Sequence, residues 1–165
     1  MSFGERGERT RQKVLRRLPV ALWMWKTLPL AAFAGLRVVR LDEGACAVRL
    51  PGGWRTQNPF RSTYFAAQAM AAEMSTGAPA LVLLEDAAAS VAMLVVGLRV
   101  SYTKKLVGAG TFTFEDVAGM KAAIGRATLS DEAQAFTARS VGRDGSGDAV
   151  AEFEITWSFK RRNPS

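Results

Sequence analysis

The sequence predicts an α+β fold in which an antiparallel β-sheet wraps around one buried helix, with an extra helix ahead of the sheet. The segment after Pro59 is apolar on almost every side and is bracketed by helix start and stop signals, which is typical of a helix inside a protein. A hairpin pattern precedes this segment, and about four long strand patterns follow it. A sheet of that size has one apolar face, and wrapping it around a central helix buries that face most simply.

The N-terminal segment predicts a basic amphipathic helix over residues 8–26. Apolar side chains recur there at helical spacing, opposite arginines: Val14, Leu15, Leu18, Leu22 and Trp25. Three interpretations fit this helix: an arm packed on the body or on an oligomeric partner, a membrane-surface helix, or a secretory signal ending near residue 34. Pro19, Lys26 and Pro29 interrupt the apolar run, which counts against a signal peptide or a membrane span and favours the packed arm.

Composition limits the functions that the chain can have. Its 165 residues, 48% of them hydrophobic, make one ordinary domain, which we divide into an arm (1–29), a body (30–160) and a basic tail (161–165). The absence of histidine excludes imidazole triads, His-ligated metal sites and a His general base. The lone Cys46 lies in an alternating apolar run and predicts a small buried side chain in a reducing, cytoplasmic compartment.

The net charge of +7 is concentrated at the two ends of the chain. A protein that binds phosphate backbones needs its basic groups on the folded face that docks, and the body shows no such patch in its sequence. Nucleic acid is therefore not an expected partner.

The central helix follows a predicted hairpin made of residues 36–42 and 45–50. Pro59 disfavours helix at the residue before it, Ser62 is a good N-cap, and Gly77 can close the helix in the left-handed conformation. About four helical turns are predicted between these signals.

Glu73 is the single carboxylate within that apolar helix and needs an explanation. At about 100° per residue it shares one helix face with short side chains: Ser62, Ala66, Ala69 and Thr76. Another backbone or a ligand can approach such a face closely.

The remaining elements are strands and one short helix. From Val91 to Lys105 a strand pattern places apolar side chains on one side without a break: Ala92, Leu94, Val96, Leu98, Val100 and Tyr102. A strand is expected at residues 111–114 and an exposed helix at 116–125. Residues 132–142 and 148–159 predict two final strands joined by a glycine-rich turn.

The order of these elements and a set of short motifs resemble the hotdog fold of the thioesterase superfamily, near its phenylacetate-pathway branch. The chain is most similar to a bacterial family of unknown function within that superfamily, over roughly residues 30 to 160. The matching motifs are Leu36-Arg37-Val38, Leu50-Pro51, Asn58-Pro59, Ala72-Glu73, Lys104-Lys105 before Gly108, and Trp157.

The resemblance implies an acyl thioester hydrolase, with substrates such as acyl-coenzyme A. In active members an Asn or Gln stands before the central helix and a carboxylate follows about fifteen residues later; Asn58 and Glu73 occupy these positions. Free N–H groups near Thr63, Tyr64 and Phe65 then stabilise the oxyanion, and Glu73 activates water or attacks directly.

One chain cannot bring both groups to one carbonyl, because Phe65 and Glu73 are eight residues apart, roughly 12 Å along a helix. Two such helices running antiparallel across a twofold axis solve this, so we predict a homodimer with two shared sites, with pairing into tetramers left open. No metal or resident cofactor is expected, and coenzyme A enters only as part of the substrate.

The start of the helix departs from the family pattern. Many relatives have His-Gly-Gly where this chain has Tyr64-Phe65-Ala66, and the bulky Phe65 narrows the approach that glycine permits. The alternative function is therefore a non-catalytic module that binds a fatty acyl or other apolar ligand.

Several side chains are candidates for substrate binding: Ser62, Tyr64, Phe65, Thr76, Lys104 and Lys105. The two lysines suit the phosphates of coenzyme A, and they equally suit solvated strand ends. Asn58 is as readily a turn residue as a site residue, and Glu73 has an alternative as a buried ion-pair partner of Arg61, Arg99 or a lysine across the dimer.

Overall fold

A computed structural model describes residues 3–162, without the side chains of residues 17–19. The elements in chain order are α1 (Glu5–Leu15), α2 (Arg17–Thr27), α3 (Pro29–Ala34), β1 (Arg37–Leu41), β2 (Cys46–Leu50), α4 (Phe65–Glu85), β3 (Val91–Tyr102), β4 (Gly110–Phe114), α5 (Val117–Thr128), β5 (Gln134–Asp144) and β6 (Ala149–Arg161). Of the basic tail, residues 163–165 lie outside the described part.

The strands form one six-stranded antiparallel sheet in the order β1-β2-β4-β5-β6-β3, and the long helix α4 packs across β2, β4 and β5. The predicted sheet around a central helix is thereby confirmed. In β6 the alternation is as the sequence indicates, with Phe153, Ile155 and Trp157 facing the core. The helix α5 was expected to be exposed, but it buries one face, including Met120 and Ile124, on the sheet and on α4.

The central helix is longer than its sequence signals indicate. It starts at Phe65 rather than after Ser62, and it runs through Gly77 and Pro79 to Glu85. Gly77 does not take the left-handed conformation. A Cβ there would make an ordinary contact of 3.5 Å with the indole ring of Trp157 and a tight one of 3.2 Å with the Glu73 carboxylate, so the glycine leaves room for that carboxylate.

The N-terminal arm is broken into separate helices, so the prediction of one amphipathic helix over residues 8–26 is wrong. Arg16 is extended between α1 and α2. Pro19 has no N–H for an interior helical bond, but the break places it in the first turn of α2, where none is needed. The break also changes which side chains of the arm face the core. Met24 is buried, while Leu22 and Trp25 are exposed.

The arm is fastened to the body through the end of α4. The Asp86 carboxylate accepts the backbone N–H of Gly4 at 2.7 Å and that of Gly7 at 2.9 Å, so it caps the start of α1 from across the fold. A Cβ on Gly7 would lie 2.1 Å from that carboxylate, so only glycine fits. The structure therefore shows α1 packed on the body.

The strand β3 forms an edge of the sheet and carries a bulge. Before the bulge Leu94 pairs with Ser158 on the outer face, and after it Leu98 pairs with Ile155 on the inner face. The predicted unbroken apolar stripe is therefore wrong, because the bulge at Val96 divides it between two faces. Leu98 nevertheless remains 55% exposed, since within the described residues nothing covers this part of the inner face.

Candidate active site

A groove at the start of α4 collects most of the predicted site residues. We call it the amide groove; it encloses about 500 Å³ between the 58–65 segment and the end of β3. Its lining includes Asn58, Ser62, Tyr64, Phe65, Lys104 and Lys105. Residues far apart in the chain thus meet here, as the sequence interpretation requires, whereas Glu73 and Thr76 lie elsewhere.

The start of α4 has two backbone donors without an acceptor among residues 3–162, and one of them belongs to Phe65, which lines this groove. The N–H groups of Thr63 and Tyr64 are not among them, contrary to expectation, because they donate to the carbonyl oxygens of Leu106 at 2.8 Å and Thr56 at 2.7 Å. The N–H groups of Phe65 and Ala66 have no acceptor among the described residues. With the positive end of the 21-residue helix behind them, they suit an oxyanion.

Asn58 organises the loop that leads into the helix. Its Oδ1 accepts the backbone N–H of Phe60 at 3.0 Å, and both the N–H and the hydroxyl of Ser62 at 3.2 Å. Ser62 is therefore a partner of Asn58 rather than a helix cap, since the N-cap is Tyr64. The Nδ2 donors of Asn58 take no part in these bonds and remain for a ligand in the groove.

Gln68 also lines the amide groove and was missed by the sequence reasoning. Its side chain is 4% exposed, and its Nε2 donates to the Thr63 carbonyl at 3.2 Å. Its Oε1 is buried without a hydrogen-bond partner within the described structure, which is costly unless a ligand supplies one. The signal was available: like Glu73, Gln68 is a polar residue within an apolar helix.

The two lysines of the groove differ in their surroundings. Lys104 donates to the carboxylates of Asp144 and Asp148, at 2.7 Å in each case, and these hydrogen bonds raise its pKa. Lys105 is exposed and has no ion pair within residues 3–162. Lys105 is therefore the better placed of the two to meet a phosphate.

Glu73 lies in a second groove, which we call the arm groove. This groove encloses about 170 Å³ between α2, α4 and the start of β3. Its described lining is otherwise apolar: Val14, Val20, Trp23, Met24, Leu28, Val38, Met74, Gly77, Ala78, Leu81 and Met93. Glu73 is an exposed residue in the single chain, yet desolvation by the surrounding apolar groups raises the pKa of its carboxylate.

The ion-pair alternative for Glu73 does not hold within one chain. Arg99 lies 3.9 Å from Glu154, and Glu73 has no cationic partner within the described structure. Thr76 lines neither groove, because it is fully buried and its hydroxyl donates to the Glu73 carbonyl and accepts the indole N–H of Trp157, both at 2.9 Å. Its role is structural.

Three further features were checked in residues 3–162: the reactivity of the cysteine, metal-binding clusters and membrane-spanning helices. Burial raises the pKa of the Cys46 thiol to about 12, so this cysteine is protonated and unreactive at neutral pH. Across residues 3–162 we find no cluster of acidic and Cys side chains that would hold a metal. None of the helices in this range has the length and apolar character needed to cross a bilayer.

The two grooves lie at opposite ends of the edge strand β3. Met93, near its start, lines the arm groove, and Tyr102, at its end, lines the amide groove. Within one chain Phe65 and Glu73 are about 12 Å apart along α4. The carboxylate and the backbone donors therefore do not meet at one carbonyl in a single chain.

Comparison with solved structures confirms the hotdog fold. A Pseudomonas aeruginosa protein of unknown function, described as a probable thioesterase, aligns with a TM-score of 0.72 and 18% identity, over 89% of this chain and 97% of its own. A Haemophilus influenzae thioesterase aligns with a TM-score of 0.64 and 12% identity, over 87% and 89%.

A thioesterase from Staphylococcus aureus, solved with a glutamine replaced by alanine, aligns with a TM-score of 0.61 and 13% identity, over 81% of this chain and 99% of its own. No curated protein matches the sequence. The profile of the DUF4442 family, described as a domain of unknown function, matches residues 20–159.

Proposed function

This chain belongs to the DUF4442 family, and from its fold and its two grooves we propose that it hydrolyses acyl thioesters as a homodimer. The observation that carries the proposal is the position of the grooves at the two ends of one open strand edge. If β3 pairs antiparallel with its copy across a twofold axis, the amide groove of one subunit lies beside the arm groove of the other. Glu73 of each subunit then faces the α4 start of its partner.

The edge itself favours such pairing. On its free side β3 has no partner strand among the described residues, and an open edge of twelve residues is a template for another strand. Leu98 and Tyr102 are exposed apolar side chains on its inner face, where a second subunit would cover them.

The proposed reaction uses the backbone donors and the carboxylate in different roles. The thioester carbonyl oxygen accepts the N–H groups of Phe65 and Ala66 and an Nδ2–H of Asn58. Glu73 of the partner takes a proton from water, whose oxygen bonds to the carbonyl carbon. The C–S bond then breaks, and the thiolate leaves with the proton that Glu73 returns. Direct attack by Glu73, with water then cleaving the anhydride, uses the same geometry.

A spacing in a structural relative supports these roles. Two structures of the Staphylococcus aureus protein carry alanine in place of a glutamine in one case and in place of a glutamate fifteen positions later in the other. Asn58 and Glu73 have the same separation in this chain.

A panel of acyl-coenzyme A substrates, assayed for thiol release with the purified chain, tests this function. The proposal predicts turnover of at least one acyl class that depends on enzyme concentration. If no substrate is hydrolysed while fatty acids or acyl thioesters still bind, the chain is the non-catalytic module, which the exposed Phe65 ring packed on Tyr64 at the groove favours.

Asn58→Asp separates the turn role of Asn58 from its donor role. The Asp carboxylate still accepts the loop hydrogen bonds made by Oδ1, but it replaces the Nδ2 donor with a negative oxygen beside the oxyanion. We expect kcat to fall by about 10²-fold or more with little change in thermal stability. An unchanged kcat would show that Asn58 only organises the turn and takes no part in the reaction.

A further inference from the structure

Two further grooves beneath the arm share lining residues with the arm groove. A second groove of about 190 Å³ shares Val14, Val20, Met24 and Val38 with it, and a third of about 280 Å³ shares Val14, Val20, Trp23 and Leu81 with it and extends to Thr10 and Glu85. We call the three grooves together the arm channel; its lining is apolar apart from Glu73 in the arm groove, Arg37 in the second groove, and Thr10, Lys13 and Glu85 in the third.

One face of α4 forms the floor of the channel. Met74, Gly77, Ala78 and Leu81 follow one another along this face, with small residues in its middle. From Glu73 to Leu81 the helix rises about 12 Å. An extended alkyl chain advances roughly 1.25 Å per carbon, so this distance holds a chain of about ten carbons.

The channel is open to solvent, and its apolar rim is exposed. Trp23, Leu28 and Leu81 are 44%, 42% and 42% exposed, although each lines the channel. Apolar side chains around a concave opening are typical of a site that an apolar ligand covers. Glu73 is the single ionisable group in the arm groove, so the polar end of such a ligand is expected to lie beside it.

We propose that the arm channel holds the acyl chain of the substrate, and that the arm, through Trp23 opposite Leu81, sets the chain length. The carbonyl end lies at Glu73 and the methyl end lies between Trp23 and Leu81. The identification of the ligand as a thioester acyl group rests on the proposed function; the binding of a linear alkyl chain does not.

Chain-length profiles of the full chain test the proposal. A fluorescent fatty acid is displaced by saturated fatty acids from hexanoate to hexadecanoate, and thiol release is measured with the matching acyl-coenzyme A series. Leu81→Trp places a larger ring in the far part of the channel, so we expect affinity for dodecanoate to fall about tenfold, as if roughly two methylene groups were displaced, and affinity for hexanoate to stay within about twofold. Leu129→Trp, at a position 87% exposed and outside the channel, is the matched control.

Trp23→Ala is expected to change the chain-length preference in the opposite direction, and it provides a second test if Leu81→Trp does not fold. It enlarges the far end, and we expect the preferred chain to lengthen in both assays. If both variants keep the wild-type length profile, the channel is not the acyl site, whatever the rate of hydrolysis. If the profiles shift while no thioester is hydrolysed, the channel proposal holds and the proposed function fails.

Discussion

Replacing Glu73 by Gln is expected to lower kcat for thioester hydrolysis by about 10³-fold and to leave the fold and the dimer intact. Gln keeps the size of the side chain but cannot take a proton from water or attack a carbonyl. The measurement is thiol release at saturating substrate, together with circular dichroism and light scattering of the same samples. Glu132→Gln, an exposed carboxylate in the turn before β5, is the control and retains full activity. A Glu73→Gln enzyme with wild-type kcat would remove Glu73 from the mechanism.

The pH dependence follows from the raised pKa of Glu73. The reaction requires the carboxylate, so the rate rises with pH through a pKa above the ordinary value of 4.5. Stability changes in the opposite sense. Because the folded pKa is raised, the free energy of unfolding falls as pH rises from 4.5 through the folded pKa. Glu73→Gln removes this dependence, and we expect it to raise Tm at neutral pH and to leave Tm unchanged at pH 4.

Leu98→Lys is expected to convert the dimer into monomers and to abolish hydrolysis. The substitution places a cation on the inner face of the open strand, next to its copy across the proposed twofold axis, where like charges repel and apolar contact is lost. Because Leu98 is 55% exposed in the single chain, the monomer should fold normally. Analytical ultracentrifugation and the thiol assay on the same sample check both outcomes.

The matched control for this prediction is Leu129→Lys. Leu129 is as apolar as Leu98 and even more exposed, but it follows the end of α5 and is not part of the open strand β3. This variant should remain dimeric and active. A Leu98→Lys protein that is monomeric but hydrolyses thioesters at the wild-type rate would show that one chain suffices.

The sequence was a good guide wherever one pattern decides a structure. Strict alternation in β6 and the apolar run of α4 gave the sheet and its central helix, because burial of an apolar face outweighs local propensity. Asn58 and Glu73, which were predicted as site residues from their spacing, line two different grooves, and their roles remain predictions.

The errors come from tertiary contacts that local signals do not contain. Gly77 is predicted to be a helix end, but the helix continues through it to Glu85, with the Trp157 indole from eighty positions away packed beside it. The bulge at Val96 divides an apparent stripe between two faces, since one extra residue reverses the alternation. Gln68 stands out in the sequence as a polar residue within an apolar helix, but the lack of a partner for its Oε1 is visible only in the folded chain.

The most direct test of a shared site uses mixed dimers that carry Glu73→Gln in one subunit and Asn58→Asp in the other, purified through two different tags. The account predicts that each mixed dimer regains about half of the wild-type activity, although both parent variants are almost inactive. One of its two sites then joins an intact Glu73 to an intact amide groove of the partner subunit. Mixed dimers as inactive as their parents would mean that both groups act within one chain, which contradicts the account.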